Sequence, residues 1–454
     1  MILALLIIVV FVASVNLILT GLIWFGLRQP TTLFLWMIQV FTSAISPVLF
    51  LVALLTIVFG FTLHSQPAIA LGILSAFLYF LHIVKIIRGP ERADGFESAF
   101  DPLWESRIPQ ERQASFLSSR YVLRLPDSPE PIFNPNVSYY TIPGTNRQLL
   151  CDIWQPPKSV KHTELAFIYI HGGAWTALDK DFGTRAFFRH LANQGHLIMD
   201  ISYRLYPETD FKGMVCDAKH AVAWIKANAA FYGVNPDRII IGGGSAGGHI
   251  ALLVAYTDQN KELMPHDLAS VDISVHGVIS FYGQSDLAAT YYHTCQHLAT
   301  RSALAKQKED EPGGMPGWIQ KSMGEDYHRL GFDKDVEPGM LAPILGGNPD
   351  EKPESYSLFS PITHVHTGCP PTLILHGEHD ILAPVKAIRE LNSRLKKTGV
   401  PTVMHILPQT DHAFDLILPK ISPSAHNAFY DVERFMALMA LKKQTGEERV
   451  ADTT

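Results

Sequence analysis

The sequence has little charge at its amino-terminal end, few cysteines and no basic runs. No charged side chain occurs in residues 1–27, and the net charge of the 454-residue chain is −6. Without basic runs, nothing indicates nucleic-acid binding. The cysteines are scattered, which predicts free thiols in a reducing compartment. His, Asp and Glu do not cluster at ligand spacing, so we expect neither a metal nor an organic cofactor. The four cysteines are Cys151, Cys216, Cys295 and Cys369.

The amino-terminal part is instead rich in long apolar runs. Residues 1–27 and 33–63 contain no charged side chain, and residues 68–87 carry only His82 and Lys85 as basic side chains. Each run can span about 30 Å of hydrocarbon at 1.5 Å per residue. Pro47 makes the second run either one kinked helix or two shorter ones. We expect residues 1–88 to form a transmembrane domain of about three helices, with two or four as alternatives.

The charges that flank these runs predict an orientation. Arg28 lies in the first loop, and Lys85, Arg88 and Arg92 lie at or beyond the end of the last run. With an odd number of crossings, Arg28 and the carboxyl-terminal part share one side, which the positive-inside rule makes cytoplasmic. An even number would reverse that side. A cleaved signal peptide is the alternative, but it needs a positively charged start and a short apolar core, which are absent.

The remaining chain divides into a connecting segment and one large domain. Residues 89–136 contain seven prolines with charged and aromatic residues, and we expect either a solvated linker or a segment that packs over the next domain. Residues 137–442 alternate buried strand-like runs, such as 166–170 and 197–201, with helical stretches, such as 214–232. This alternation predicts a mainly parallel sheet covered by helices. Residues 285–355 interrupt this alternation and are predicted to form a cap inserted over the site, with disorder at 306–314 as the alternative. Residues 443–454 are expected to be a flexible tail.

The stretch from Arg238 to His249 carries the strongest local signal. An apolar run precedes Gly243-x-Ser245-x-Gly247 and a helical run follows it, as in a nucleophile elbow. The same letters spell a dinucleotide-binding fingerprint, but the acidic residue expected about 20 positions later is missing. A glycine-rich turn with a spectator serine is the third interpretation. The rest of the chain favours the nucleophile.

Partners for such a serine follow two later strand-like runs. His376-Gly-Glu-His-Asp380 comes after the run at 372–375, and Gln409-Thr-Asp-His412 comes after the run at 403–406. Because the carboxyl ends of parallel strands meet at one edge of a sheet, Asp380 and His412 are the candidate acid and base, with Glu378 as a rival acid. His171-Gly172-Gly173-Ala174-Trp175 follows an earlier run, and its glycines suit an oxyanion loop or a simple tight turn.

Five motifs in order, from about residue 166 to 441, resemble the α/β-hydrolase fold, and within it the hormone-sensitive-lipase-like and related membrane-linked carboxylesterases. The resemblance implies a two-step hydrolysis in which Ser245 attacks, His412 relays the proton and Asp380 orients the imidazole. It also implies an oxyanion hole built by the amides of Ala246 and Gly173 with either Gly172 or Ala174. The motifs are His171 to Trp175, Ser202 to Glu208, Gly244 to Gly248, His376 to Asp380 and Asp411 to Phe414.

Two positions depart from that family's pattern. Gly244 stands where an Asp commonly precedes the nucleophile, and Ala174 stands where a third glycine is common. In having alanine there, the chain resembles some kynurenine-formamidase-like and prenylcysteine-methylesterase-like hydrolases. The expected fold is therefore an α/β-hydrolase with an inserted cap, preceded by an all-α transmembrane domain. The expected function is a membrane-anchored serine hydrolase that cleaves esters of small hydrophobic or lipid-like molecules. An amide hydrolase on the same triad and a catalytically silent membrane binding protein are the alternatives, and the sequence does not indicate an oligomeric state.

Overall fold

A computed structural model describes residues 2–26, 33–298 and 339–441 of the chain. Its centre is an eight-stranded sheet in the order β1-β2-β4-β3-β5-β6-β7-β8. The first two strands and the β2/β4 pair are antiparallel, and all other neighbours are parallel. The strands are β1 Ile132–Thr141, β2 Gln148–Gln155, β3 Ala166–Ile170, β4 Leu197–Ile201, β5 Ile239–Gly244, β6 Gly277–Phe281, β7 Thr372–Gly377 and β8 Thr402–Leu407.

The central strands are short apolar runs with every residue of β3 to β7 buried. That pattern requires cover on both faces of the sheet, since a parallel sheet buries both. One face packs against helices α8 (Phe211–Ala227) and α10 (Ala246–Tyr256). The other face packs against α7 (Arg185–Ala192) and α15 (Pro423–Met439), so an apolar core lies on each side of the sheet. The helices of this part are α7 Arg185–Ala192, α8 Phe211–Ala227, α9 Ala229–Tyr232, α10 Ala246–Tyr256, α11 Leu287–His297, α12 Leu341–Leu345, α13 Pro353–Leu358, α14 Val385–Lys397 and α15 Pro423–Met439.

Four apolar helices precede this domain. They are α1 Ile2–Phe25, α2 Leu33–Ala44, α3 Ser46–Thr62 and α4 Gln66–Ile86. The second apolar run of the sequence is therefore two helices, which meet at an angle of 78°. By length and composition α1 and α4 can each cross a membrane, and the number rises to three if the bent pair forms one span.

Small residues let α3 and α4 pack closely. A Cβ at Gly72 would lie 2.7 Å from Thr56 Oγ1, and one at Gly60 would lie 2.8 Å from Ile69 Cγ1. Because neither position carries a side chain, the backbones of the two helices can approach each other closely. The turn at residues 63–65 joins the two helices, so they run antiparallel.

The segment from residue 89 to 131 packs on the sheet domain rather than forming a solvated linker. It contains two short α-helices, α5 Phe96–Ala99 and α6 Gln110–Gln113. Strand β1 begins at Ile132, which moves the expected domain boundary at 136/137 about five residues earlier. Five apolar side chains of the segment are buried in the core around α15, namely Phe96, Trp104, Ile108, Leu117 and Leu125.

The described part of the region expected to form the cap contains three helices. Helix α11 follows β6, and α12 and α13 precede β7, with Tyr291 of α11 packed edge-on against Tyr356 of α13. His293 of α11 donates a hydrogen bond to the carbonyl oxygen of Asp380 at 3.0 Å, so this helix contacts the loop after β7. Residues 299–338, including the stretch 306–314, and the tail at 443–454 lie outside the described residues. The cap as a cover over the site stays a prediction.

Candidate active site

Ser245 stands at the turn between β5 and α10, with φ 54° and ψ −122°. A non-glycine residue at such angles is strained, and the strain is held by the strand and helix on either side. Gly243 and Gly247 permit the turn, because a Cβ at either would lie 2.3 or 2.0 Å from the carbonyl oxygen of Ile170. The local sequence therefore projects a single hydroxyl from a sharp strand-to-helix turn.

The structure brings together the serine, the histidine and the aspartate that the sequence indicates. His412 Nε2 lies 2.8 Å from Ser245 Oγ, and His412 Nδ1 lies 2.8 Å from Asp380 Oδ2. The second oxygen of Asp380 accepts the amides of Leu382 at 2.8 Å and Ala383 at 2.7 Å. A carboxylate acceptor keeps the proton of the neutral ring on Nδ1, which leaves Nε2 free to accept the serine proton.

The environment of Asp380 keeps it ionised. Burial alone would raise the pKa of this carboxyl, but the adjacent His412 and the amide donors lower it, and the net pKa lies below its usual range. The rival acid, Glu378, faces elsewhere and accepts the amide of Gln409 at 2.9 Å. Within the described part of the chain, Asp380 is thus the carboxylate bonded to the His412 ring.

The glycines after β3 bring backbone directly over the serine. A Cβ at Gly172 would lie 3.0 Å from the carbonyl oxygen of Gly244 and 3.3 Å from Ser245 Cβ. Gly173 has φ +111°, and a Cβ there would lie 2.0 Å from the carbonyl oxygen of Ala177. A side chain at Gly172 would therefore press on the turn that carries the serine, and one at Gly173 would distort the loop itself.

The amides expected to form the oxyanion hole belong to this loop and to the first residue of α10. Those of Gly173 and Ala246 donate no hydrogen bond within residues 2–26, 33–298 and 339–441. Ala174 has φ 54°, and the next residue, Trp175, is buried and donates its indole N–H to His249 Nδ1 at 3.2 Å. This hydrogen bond ties the loop to helix α10, which begins directly after Ser245.

Two further residues, Tyr282 and Asp415, lie beside the triad and were not predicted from the sequence. The Tyr282 ring packs 4.5 Å from the His412 ring, and its hydroxyl donates to Asp415 Oδ1. A Cβ at Gly244 would lie 3.0 Å from Tyr282 Oη and 3.3 Å from Tyr169 Oη, so there is no room for an Asp before the nucleophile. Tyr282 follows directly after β6. Its place at the carboxyl end of a strand is the sequence feature that could have predicted a position near the site.

The described residues also bear on metal binding. They contain no group of three or more His, Cys, Asp or Glu side chains that could hold a metal ion.

Two family models and several known esterases match parts of this chain. Residues 151–314 match the BD-FAE family model, and residues 337–440 match the model of the prolyl oligopeptidase family. The probable carboxylic ester hydrolase LipM of Mycobacterium tuberculosis is 31% identical over 304 residues, which are 65% of this chain and 60% of LipM. The esterase LipQ of the same organism is 28% identical over 328 residues, 71% of this chain and 68% of LipQ.

A solved structure shows the same fold. The thermophilic esterase Est2 of Thermogutta terrifontis superposes with a TM-score of 0.50 at 20% sequence identity, covering 71% of this chain and 96% of Est2. The match to LipM spans only 60% of that relative's length, so it does not transfer the whole relative's activity. The order of the sheet and the superposition on Est2 show an α/β-hydrolase fold, and the sequence is similar to esterases.

Proposed function

We propose that the protein is a membrane-anchored serine hydrolase that cleaves carboxylic esters of hydrophobic or lipid-like molecules. The observation that carries this proposal is the chain of hydrogen bonds from Ser245 through His412 to Asp380 at a strained elbow. Relatives named as an esterase and a probable carboxylic ester hydrolase support the ester as the bond cleaved.

The reaction follows from the positions of these atoms. Ser245 Oγ attacks the ester carbonyl while His412 Nε2 takes its proton, and the imidazolium is stabilised by Asp380. The amides of Gly173 and Ala246, with that of Gly172 or Ala174, hold the oxyanion. His412 then gives the proton to the departing alkoxide, leaving an acyl-enzyme on Ser245. Water, deprotonated by the same His412, attacks the acyl group and releases the acid and the free serine.

The proposed location rests on the amino-terminal helices. The carboxyl-terminal ends of α1 and α4 both meet the hydrolase domain: a Cβ at Gly26 would lie 3.6 Å from His379 Nδ1, and Asn427 donates to the carbonyl of Ile86. Two helices that end on the same side need one that returns, and α3 has 17 residues, the lower limit for a span. We therefore infer three crossings by α1, α3 and α4, with the hydrolase domain in the cytoplasm.

The anchoring supports a hydrophobic substrate, since lipid-like molecules concentrate in the bilayer.

The test of the proposed function is hydrolysis of p-nitrophenyl esters from acetate to palmitate by the detergent-solubilised protein and by Ser245→Ala. We expect kcat to fall by roughly 10⁴-fold or more in the variant, and activity to peak at long chains. Ser280→Ala, which removes a buried hydroxyl of the neighbouring strand, is the matched control and should retain activity.

The outcomes separate the parts of the proposal. Serine-dependent activity confined to short chains would leave a tethered carboxylesterase and overturn the lipid-like substrate. Equal rates in wild type and Ser245→Ala would overturn the assignment of the nucleophile.

An amide hydrolase is the second candidate, because residues 337–440 match the prolyl oligopeptidase family and carry both Asp380 and His412. Turnover of an ester and an anilide with the same acyl group decides between the two. We expect the ester to be cleaved faster, and preferential cleavage of the anilide would favour the amide hydrolase.

A further inference from the structure

Polar side chains of the amino-terminal helices reach the loop that carries His412. We call residues 408–415 the base loop. Gln39 of α2 donates its Nε2 to Asp411 Oδ2 at 3.3 Å. His82 of α4 bonds through Nδ1 to Gln409 Oε1 at 3.1 Å, and its Nε2 lies 3.2 Å from Ser43 Oγ of α2. Two helices of the apolar bundle thus bond directly to both sides of Thr410 in this loop.

The bonding pattern defines one arrangement of protons. Gln409 Oε1 can only accept, so His82 Nδ1 carries the hydrogen and its Nε2 accepts the hydroxyl proton of Ser43. Gln39, His82 and Gln409 are all buried, and only about 10 Å³ of space remains at the junction. Buried polar groups in apolar helices are costly unless they are bonded, and the partners here lie in the base loop.

The base loop needs such support because its backbone is strained. Gln409 has φ 53° and Ala413 has φ 59°, both in the left-handed region that non-glycine residues rarely adopt. Asp411 Oδ1 accepts the amides of His412 at 2.7 Å and Ile381 at 3.1 Å, so the carboxylate that Gln39 holds is also bonded to the backbone of the base itself.

We propose that Gln39 and His82 are positioning residues for His412, so that the amino-terminal helices form part of the catalytic unit and do more than anchor it. The proposal rests on the proposed function and deepens it. Gln39 acts through Asp411 and His82 acts through Gln409, and both fix the distance from His412 Nε2 to Ser245 Oγ. Neither residue contacts the serine, so they influence the rate of the chemical step rather than the affinity for substrate.

The experiment compares Gln39→Leu and His82→Leu in the full-length protein, purified in detergent as a monodisperse peak. Because displacements of about 1 Å in a catalytic site can cost on the order of 10² in rate, we expect kcat for p-nitrophenyl butyrate to fall roughly 10- to 100-fold with KM unchanged. Asn16→Leu is the matched control, since Asn16 is buried in the same bundle and bonds to the carbonyl of Leu49. It should leave kcat within about twofold of wild type.

Two further variants separate positioning from a general loss of packing. In a Gln409→Leu background, His82→Leu should cause no additional loss, because the partner it acts through is gone. His82→Asn, whose amide nitrogen can replace Nδ1 as the donor, should restore most of the activity lost in His82→Leu. This variant also decides the matter if the leucine variants do not assemble.

Several results would overturn the inference. They are unchanged kcat in both leucine variants, a loss confined to KM, additive losses in the double variant, or a His82→Asn variant that folds but is as slow as His82→Leu. If wild type itself shows no activity that depends on Ser245, the proposed function fails and not the positioning role alone.

Discussion

At the scale of single residues, we expect one added methyl group at Gly173 to lower the catalytic rate strongly. Its φ of +111° disfavours any side chain, and a Cβ would lie 2.0 Å from the carbonyl oxygen of Ala177. Gly173→Ala therefore has to displace the amide proposed to bind the oxyanion, and we expect kcat to fall on the order of 10²- to 10³-fold. The measurement is kcat for p-nitrophenyl butyrate, with folding checked by thermal melting.

Gly144→Ala is the control for that experiment. Gly144 also has a positive φ, of +74°, but a Cβ there would meet nothing within 4 Å. It lies in the turn between β1 and β2, away from the serine. Comparable losses in the two variants would show that backbone strain alone, and not the oxyanion loop, explains the effect of Gly173→Ala.

The environment of Asp411 should make the stability of the folded protein depend on pH. Burial and the charge of Asp380 raise the pKa of Asp411 from its ordinary value of 3.8 to about 7. The folded protein then binds a proton more tightly than the unfolded chain, so stability falls as the pH rises between these two values and levels off above about 7. Asp411→Asn removes this ionisation, and its side-chain oxygen can still accept the amides of His412 and Ile381.

We expect Asp411→Asn to raise Tm by a few °C at pH 8 and to change it little at pH 4. The measurement is thermal melting in detergent from pH 4 to pH 8. Asp237→Asn, on the surface turn before β5, is the control and should show no such pH-dependent gain. A gain for Asp411→Asn that is equal at all pH values would contradict the role of ionisation.

At the scale of elements, the α3/α4 pair should tolerate no large side chain at its closest approach. Gly72→Leu would place a branched side chain where even a Cβ lies 2.7 Å from Thr56 Oγ1 and 3.1 Å from the carbonyl oxygen of Ala53. We expect a lower melting temperature in detergent, because the helices must separate. Gly21→Leu in α1, where a Cβ meets nothing within 4 Å, should melt close to wild type, and equal melting of both variants would argue against close packing of α3 on α4.

The sequence was sufficient to predict the strands that are marked by a short run of neighbouring apolar residues. The runs at 166–170 and 197–201 are β3 and β4 without a shift, because a short β-branched apolar stretch between polar turns fits only a buried strand. The single helix expected at 214–232 is instead α8 and α9, separated at Asn228, whose side chain bonds back to the carbonyl of Trp224. Such a competing side-chain bond is not visible in the hydrophobic pattern.

The candidate site likewise contains residues that a local motif predicts and residues that only the structure reveals. Ser245, Asp380 and His412 each follow a strand within a short motif, so sheet topology alone brings them to one edge. Gln39 and His82 carry no such signal, since each is a single polar residue in an apolar helix. Their partners lie 372 and 327 residues away in the sequence. Only the docking of the helices on the hydrolase domain shows these contacts.

At the scale of the whole molecule, the segment 89–131 fastens the apolar helices to the hydrolase domain. Arg120 Nη2 forms an ion pair with Oδ1 of the buried Asp431 of α15 at 2.8 Å. Arg120 Nη1 donates a hydrogen bond to Asn427 Oδ1 at 2.6 Å. Asn427 in turn donates to the carbonyls of Ile86 and Arg88, just after α4. A single helix, α15, therefore connects the sheet, the segment and the end of the last apolar helix.

Arg120→Leu tests this connection. Among the described residues, Asp431 would keep only His405 as an ion-pair partner, and removing one member of a buried ion pair costs roughly 3–5 kcal/mol of stability. We expect faster limited proteolysis within 89–131 and a lower melting temperature, while the Ser245 to Asp380 hydrogen bonds stay intact in the protein that remains folded. Arg124→Leu, which breaks the exposed pair with Asp127, should change stability by less than about 0.5 kcal/mol. Equal proteolysis rates for both variants would show that the segment is held by its apolar side chains alone.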